Sequence, residues 1–481
     1  MKLSTDRILT THVGSLPRPQ EVVDYLFAQD RGENYDPVKF DQVIRAGVLE
    51  ALRKQVEAGV DAVSDGEMGK ISYATYIRHR LTGFEGDSAR PTPQDLEDFP
   101  GYRDKLVSAG ASAKYQRPVC KGPIAVKDLE PLKNDIARMK DGLAQVKATE
   151  GFMNAVSPGT IAVFQPNEYY PTHAAYMEAL ANAMQSEYET IVNSGLLLQV
   201  DCPDLAMGRH SRFRDMTDDE FLRAASVQVE ALNHALANVP ADRVRMHVCW
   251  GNYQGPHTHD LPLTKILPVV LKAKPQALLL EGANPRHEHE WEVWSSQKLP
   301  DEKVLVPGVI ASSNNYIEHP ELISQRIIRY ADLVGRERVI GGTDCGFGTF
   351  AGFGPVYPEF CWMKLRALSD GAKLASEKLW GKVRSAAGAG EPMADDLPND
   401  LEEKTAIMRE FRRHRVEGLP ISAELYAKQL WATNDRYATG PEPGERIPAF
   451  SLPDQHGELR SVQDLAGPKG LLLVFHRSAD W

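Results

Sequence analysis

At 481 residues the chain is too long for one average domain and suits one large domain with additions. A net charge of −11 and a pI near 5.8 argue against a general nucleic-acid binder or an anionic-membrane binder. The sequence also contains no apolar run of the roughly 18 residues that a bilayer span needs. The first residues, MKLSTDRILTTHVGS, lack a signal-peptide apolar core, so a cytoplasmic protein is expected. In that setting the five cysteines read as thiols or metal ligands rather than a disulfide framework.

Short apolar runs alternate with amphipathic helices along the first 380 residues, the pattern of parallel βαβ units. The first predicted strand is Ile8–Gly14. A helix over Asp41–Ala58 follows, with Val48, Leu49, Leu52 and Val56 on one face and Gly59 as its stop. Strand two, Val60–Ser64, ends in Asp65-Gly66-Glu67. Residues 70–151 are irregular and polar apart from one helix near Leu132–Val146, and read as an insertion on the barrel. Strand three is placed at Thr160–Phe164 and a helix at Ala174–Asn193; strand four, Leu196–Val200, ends in Asp201. Thr217 and Glu220 form a capping box that opens a helix to Ala237. Strands five to eight are Val244–Cys249, Ala277–Leu280 (then Glu281), Val304–Ile310 and Val339–Gly342 (then Asp344-Cys345-Gly346). A helix pair over Glu359–Trp380 closes the set. Eight strands with helices between most of them predict a TIM (β/α)8 barrel over 1–380.

The remainder divides into a helical linker, 381–440, and a different segment, 441–481, with a strand signal at Leu471–Phe475 but too little mass to bury a core alone. Chemistry in such a barrel sits at the C-terminal ends of the strands. His247 and Cys249 share one face of an extended strand, and imidazole and thiolate are ligands that zinc prefers. Cys345, Glu281, Glu67 and Asp201 also fall at strand ends. The bland alternatives are a buried strand end for His-x-Cys, a loop cap for Glu281, and mouth ion pairs for Glu67 and Asp201. Cys120, Cys202 and Cys361 read as packing thiols, and His257, His259, His287 and His289 as loop residues, one of them facing substrate.

Thr10-Thr11-His12-Val13-Gly14-Ser15, Asp65-Gly66-Glu67, Gln199-Val200-Asp201, His247-x-Cys249, Glu281 and Asp344-Cys345-Gly346 together resemble the cobalamin-independent methionine synthase family, specifically its catalytic C-terminal barrel. The resemblance implies a catalytic Zn²⁺ held by His247, Cys249 and Cys345, with Glu281 as a fourth, exchangeable ligand. It implies that Ser15, Glu67 and Asp201 hold the amino-acid end of homocysteine, that Glu281 and Asp201 take part in catalysis, and that a methylated folate is the methyl donor. Four features depart from the family: the second, N-terminal barrel is not present, Cys202 follows Asp201 where the family has Glu, Phe164 stands for the Trp that stacks on the pterin, and Ser312-Ser313-Asn314-Asn315 replaces a His after strand seven. These bring the chain nearer to the short, single-barrel relatives, including epoxyalkane:coenzyme M transferases. Residues 441–481 resemble the start of a peroxiredoxin- or thioredoxin-like domain and contain no cysteine, which makes that segment redox-inactive as it stands.

The expected activity is zinc-dependent S-methylation of a small thiol, homocysteine to methionine. Alternatives are transfer of another alkyl group to a thiol and a zinc-holding protein without catalysis. A free thiol, with a pKa of about 8.5, is a poor nucleophile at neutral pH, and a bound cation removes its proton.

Overall fold

The computed structural model describes residues 1–89, 92–108, 115–381, 401–417, 419, 421, 422, 424, 425, 428, 429, 451–453 and 459–461. The chain divides into two compact units, Met1–Arg384 and Ser385–Trp481.

In the first unit the barrel strands are β1 (Leu9–Thr10) and β2 (Ala62–Ser64), with α1 (Gln20–Arg31) and α2 (Pro37–Glu57) between them. Asp36 caps α2 by accepting from the amides of Val38 and Lys39, and Gly59, at φ 84°, turns the chain out of it as expected. The insertion holds β3 (Phe84–Glu85), α3 (Gln94–Asp98), α4 (Pro100–Ser108) and β4 (Val119–Cys120). Then come α5 (Glu130–Leu143), β5 (Glu150–Val156), α6 (Pro158–Phe164), α7 (His173–Asn193), β6 (Leu197–Asp201) and α8 (Asp218–Ala235). The capping box of Thr217 and Glu220 opens α8 as the sequence predicts. β7 (Val244–Val248), α9 (Leu263–Val270), β8 (Ala277–Leu280), β9 (Val304–Ile310), α10 (Pro320–Val334), β10 (Ile340–Thr343) and α11 (Pro358–Trp380) complete the unit.

Eight strands pair in the order β1-β10-β9-β8-β7-β6-β5-β2, and a parallel bridge from Thr11 to Ala62 joins the two ends. The predicted TIM barrel is therefore present. Its strands read as near-continuous apolar runs because both faces are covered, as in β8, where Ala277 to Leu280 are all buried.

Three expectations about the elements are corrected. Thr160–Phe164 is part of a helix, not strand three: Ser157 accepts from the Thr160 amide as N-cap, and Pro158 occupies the first turn, so the β-branched run follows a helix start. The third barrel strand is β5, which the polar look of 70–151 concealed, and α5 is its crossover helix rather than part of an insertion. The helix pair over 359–380 is one continuous helix, α11. Helix α1 was not anticipated.

The barrel interior is split. Leu9, Val13, Ala277, Leu279, Val304, Val306 and Ile340 form a small apolar cluster on one side. The other side is polar: Arg245, 2% exposed, stacks over Phe152 and donates to the Thr11 hydroxyl and the His12 carbonyl, both at 2.9 Å. Because Arg245 points inward, His247 two residues on does too.

In the second unit α12 (Leu401–Glu417) is helical, in the stretch read as a linker, and β11 (Ser451–Pro453) pairs antiparallel with β12 (Leu459–Ser461). The strand expected at Leu471–Phe475 lies outside the described residues. Among the described residues no helix is long and apolar enough to cross a membrane.

Candidate metal centre

His247 lies on β7, Cys249 one residue past its end, and Cys345 two residues past β10. The two sulfurs are 3.7 Å apart, and a ring nitrogen of His247 and both sulfurs all lie within 4.8 Å of one another. All three residues are buried. β6 and β7 pair with Asp201 opposite His247, and the His247 Nδ1 meets Asp201 Oδ1 at 3.3 Å. The other ring nitrogen, Nε2, is buried and takes no hydrogen bond. Burial opposes charge on the ring, but the Asp201 carboxylate and the Cys249 sulfur outweigh it and push its pKa up to about 10. The Cys345 sulfur and burial push the Cys249 thiol well above its ordinary value. A thiolate at this place therefore needs a cation beside it, and the donor set of one imidazole and two sulfurs is the set a zinc ion takes. The residues fit the metal.

Glu281 is not in that group. Its Oε1 accepts from the Trp250 amide at 2.7 Å and its Oε2 from Asn284 Nδ2 at 2.8 Å. Asp344, beside Cys345, accepts from the amides of Gly282, Ala283 and Asn284 at 2.8 to 2.9 Å, which fixes the loop that carries Glu281.

Ser15, Glu67 and Asp201 line a small cavity together with His247, Cys249 and Cys345. Glu67 sits at φ 56°, a backbone conformation uncommon outside glycine. Its Oε2 is buried without a hydrogen bond, and the nearest cation, Arg18, is 3.9 Å away. Burial raises its carboxyl above the usual range against the pull of Lys70 and Arg18. Asp201 is more heavily engaged: besides His247, it accepts from Asn154 Nδ2 at 2.9 Å and Gln199 Nε2 at 3.3 Å. Gly14 passes Asn154 closely: at φ 134°, a Cβ there would lie 2.1 Å from the Asn154 Oδ1. Gly346 is bare for a related reason, since a Cβ would stand 2.0 Å from the Ser15 hydroxyl oxygen.

Phe164, at the end of α6, lines a second, mostly apolar cavity of about 550 Å³ with Tyr73, Met207, Phe350 and Phe353. Tyr73 stacks with Phe350 and meets Phe164 edge-on. Tyr73, Asn252 and Thr349 line both this cavity and the small one, so the two lie side by side. None of these three was singled out from sequence; only Asn252, just past the His-x-Cys strand end, carried a positional signal. A third cavity of about 440 Å³ reaches Cys345 and Glu281 and is also lined by His257.

The loop histidines do not join the metal group. His257 and His287 both bond Asp260 Oδ2, at 3.0 and 3.1 Å, and His259 pairs with Asp98 at 2.6 Å. Cys120, Cys202 and Cys361 are free and buried, in line with packing roles.

No family model matches the chain. It is 24% identical over 377 residues to a methionine synthase of Saccharolobus solfataricus, covering 77% of this chain and 95% of that protein. It is also 24% identical over 340 residues to a methionine synthase of Sulfolobus acidocaldarius, covering 70% and 85%. Among solved structures, a B12-independent methionine synthase from Shewanella sp. W3-18-1 superposes with a TM-score of 0.59 at 18% identity, covering 78% of this chain and 99% of that one. A putative vitamin-B12 independent methionine synthase from Listeria monocytogenes gives 0.55 at 19% identity, with coverage of 78% and 100%. The fold is a TIM barrel whose mouth carries a His-Cys-Cys cluster able to hold a metal ion. The resemblance read from the motifs holds as a similarity: over most of its length the chain is similar to methionine synthases, and it shares the fold of B12-independent ones.

Proposed function

We propose that the chain is a zinc-dependent S-methyltransferase acting on a small thiol, homocysteine first among them, in methionine formation. The observation that carries this reading is His247 Nε2, which takes no hydrogen bond, grouped with the Cys249 and Cys345 sulfurs in a cavity that Glu67 also lines. The methionine synthases it resembles support the reaction class.

A zinc ion held by His247, Cys249 and Cys345 would lower the pKa of an entering thiol, so that its sulfur is a nucleophile at neutral pH. Three protein ligands leave one position for that sulfur, as catalytic sites require. Asp201 orients the His247 ring through Nδ1 and leaves Nε2 to the metal. Glu67 receives the substrate ammonium and the Ser15 hydroxyl its carboxylate; a charged pair in so buried a place is strong. The sulfur then attacks the methyl carbon in line: the S–C bond forms, the bond from carbon to the donor atom breaks, and the electron pair departs with the donor. The apolar cavity, which meets the thiol cavity at Tyr73, Asn252 and Thr349, receives the donor, a methylated folate in the first instance.

A second reading, transfer of a larger alkyl group such as an opened epoxide, is favoured by the apolar wall of that cavity and by Ser312 and Ser313 where the family places a His. The experiment is a panel of thiols crossed with methyl and epoxide donors, with zinc content measured alongside. The proposal fails if zinc-loaded protein alkylates no thiol faster than buffer does.

A further inference from the structure

Helices α3 and α4 belong to the insertion and meet the barrel mouth. α4 buries none of its residues, yet Leu106 and Val107 from it, with Leu96 from α3, line the apolar cavity. Polar contacts tie the pair to the loop that begins just after Cys249. Asp95, only 1% exposed, accepts the Tyr253 hydroxyl at 2.7 and 2.9 Å and the His257 amide at 2.8 Å. The Tyr102 hydroxyl donates to the Gln254 carbonyl at 2.6 Å, and Asp98 holds His259.

These contacts have a consequence for the site. The Tyr253 side of the loop walls both the apolar and the third cavity, so whatever fixes Tyr253 fixes the partition between them. His257 is held at φ 52°, a strained backbone for a non-glycine residue, and the Asp95 carboxylate bonded to its amide is what the strain is set against. A buried carboxylate saturated by a hydroxyl and an amide of one loop is a strong, geometrically fixed clasp.

We propose that Asp95 is a positioning residue for the alkyl donor: its clasp on Tyr253 and His257 holds α3 and α4 over the apolar cavity and sets the loop after Cys249, so that the donor carbon faces the thiol sulfur. This rests on the thiol-alkylation reading above. Asp95 takes and gives no proton in the transfer; it acts by holding the donor in line.

The test uses full-length Asp95→Asn and Tyr253→Phe. In Asp95→Asn the negative charge is lost and an NH₂ replaces one of the two accepting oxygens, so the clasp is weakened; in Tyr253→Phe the ring remains and only the hydroxyl is lost. Three readouts are taken: KM and kcat with 5-methyltetrahydropteroyltriglutamate, the rate of homocysteine alkylation by methyl iodide, and tryptic nicking after Arg103 and Lys105. Methyl iodide is too small to need the cavity and reports the sulfur alone. The expected result is a rise in folate KM on the order of tenfold and nicking faster by a similar factor, with the methyl iodide rate and zinc content unchanged. Unchanged KM and unchanged nicking overturn the proposal. A methyl iodide rate that falls in step with the folate rate also overturns it, because Asp95 would then serve the fold around Cys249. If wild-type protein accelerates neither alkylation, the thiol-alkylation reading fails by itself. The clasp is then decided by nicking, and by whether 8-anilinonaphthalene-1-sulfonate, an apolar probe, protects wild type from trypsin more than it protects Asp95→Asn.

Discussion

Asp201 and His247 face each other across two paired strands, with Asp201 Oδ1 3.3 Å from His247 Nδ1. A carboxylate on one ring nitrogen fixes the tautomer that leaves the other nitrogen free for a metal. Asp201 was expected to read the substrate's amino group. Its bonds to His247, Asn154 and Gln199 give it a role in orienting the centre as well. Asp201→Asn should therefore lower zinc affinity by about 10- to 100-fold, as loss of such a partner typically does, and slow every thiol alike. Competition with a chromophoric chelator and a comparison of homocysteine with 2-mercaptoethanol check this.

Glu67 should behave differently. It lines the thiol cavity, and among the described residues its Oε2 accepts no hydrogen bond and has only the distant Arg18, at 3.9 Å, as ion-pair partner. Glu67→Gln is expected to cost on the order of 2 kcal/mol, roughly 30-fold in kcat/KM, for homocysteine. For a thiol that lacks an amino group the loss should vanish. Equal losses for both thiols would show that Glu67 serves the fold through its neighbours Arg18 and Lys70.

The purified protein should carry about one zinc. Cys345→Ser should lose most of it, since a hydroxyl does not ionise to replace a thiolate. Metal analysis of Cys249→Ser, Cys345→Ser protein that still found full occupancy would falsify the centre.

His287 offers a pH signature away from the metal. Its two ring nitrogens bond Glu290 at 2.8 Å and Asp260 at 3.1 Å, both acceptors only, so the ring carries two protons. Burial opposes this, but the two carboxylates push its pKa up to about 10. A group raised in the folded state contributes stability in full below its unfolded value of about 6.5 and loses it as pH rises through 10. His287→Gln should cost on the order of 2 kcal/mol near pH 6, and the gap in Tm from wild type should close as pH approaches 10. Thermal melts of both proteins across that range decide it; a gap that widens with pH contradicts the assignment.

Much of the barrel was legible because its signals are local. β8 and β9 coincide with the predicted strands to the residue, since an apolar run between polar ends carries its own boundaries. The Thr217 and Glu220 box and the Gly59 stop are single-turn chemistry, written within a few residues. Thr160–Phe164 misled because β-branched residues look like a strand, and only Ser157 and Pro158 ahead of them say otherwise. β5 stayed hidden behind Glu150, Gly151 and Asn154, polar or small residues that its place in the barrel makes interior or strand-starting.

His247, Cys249 and Cys345 were found from sequence because a barrel puts all strand ends on one mouth. That fold-level rule turns residue type and strand register into proximity. It could not say that Glu281 would be held by Trp250 and Asn284, that Asp201 would turn to His247, or that Asp95 would clasp Tyr253 from 158 residues away. Hydrogen bonds are short and directional, and their partners here come from distant loops. The sequence by itself determined which candidate ligand types stand at the strand ends of the barrel mouth; only the tertiary structure decided which of them come together, which atom of each is hydrogen-bonded and which is left without a bond.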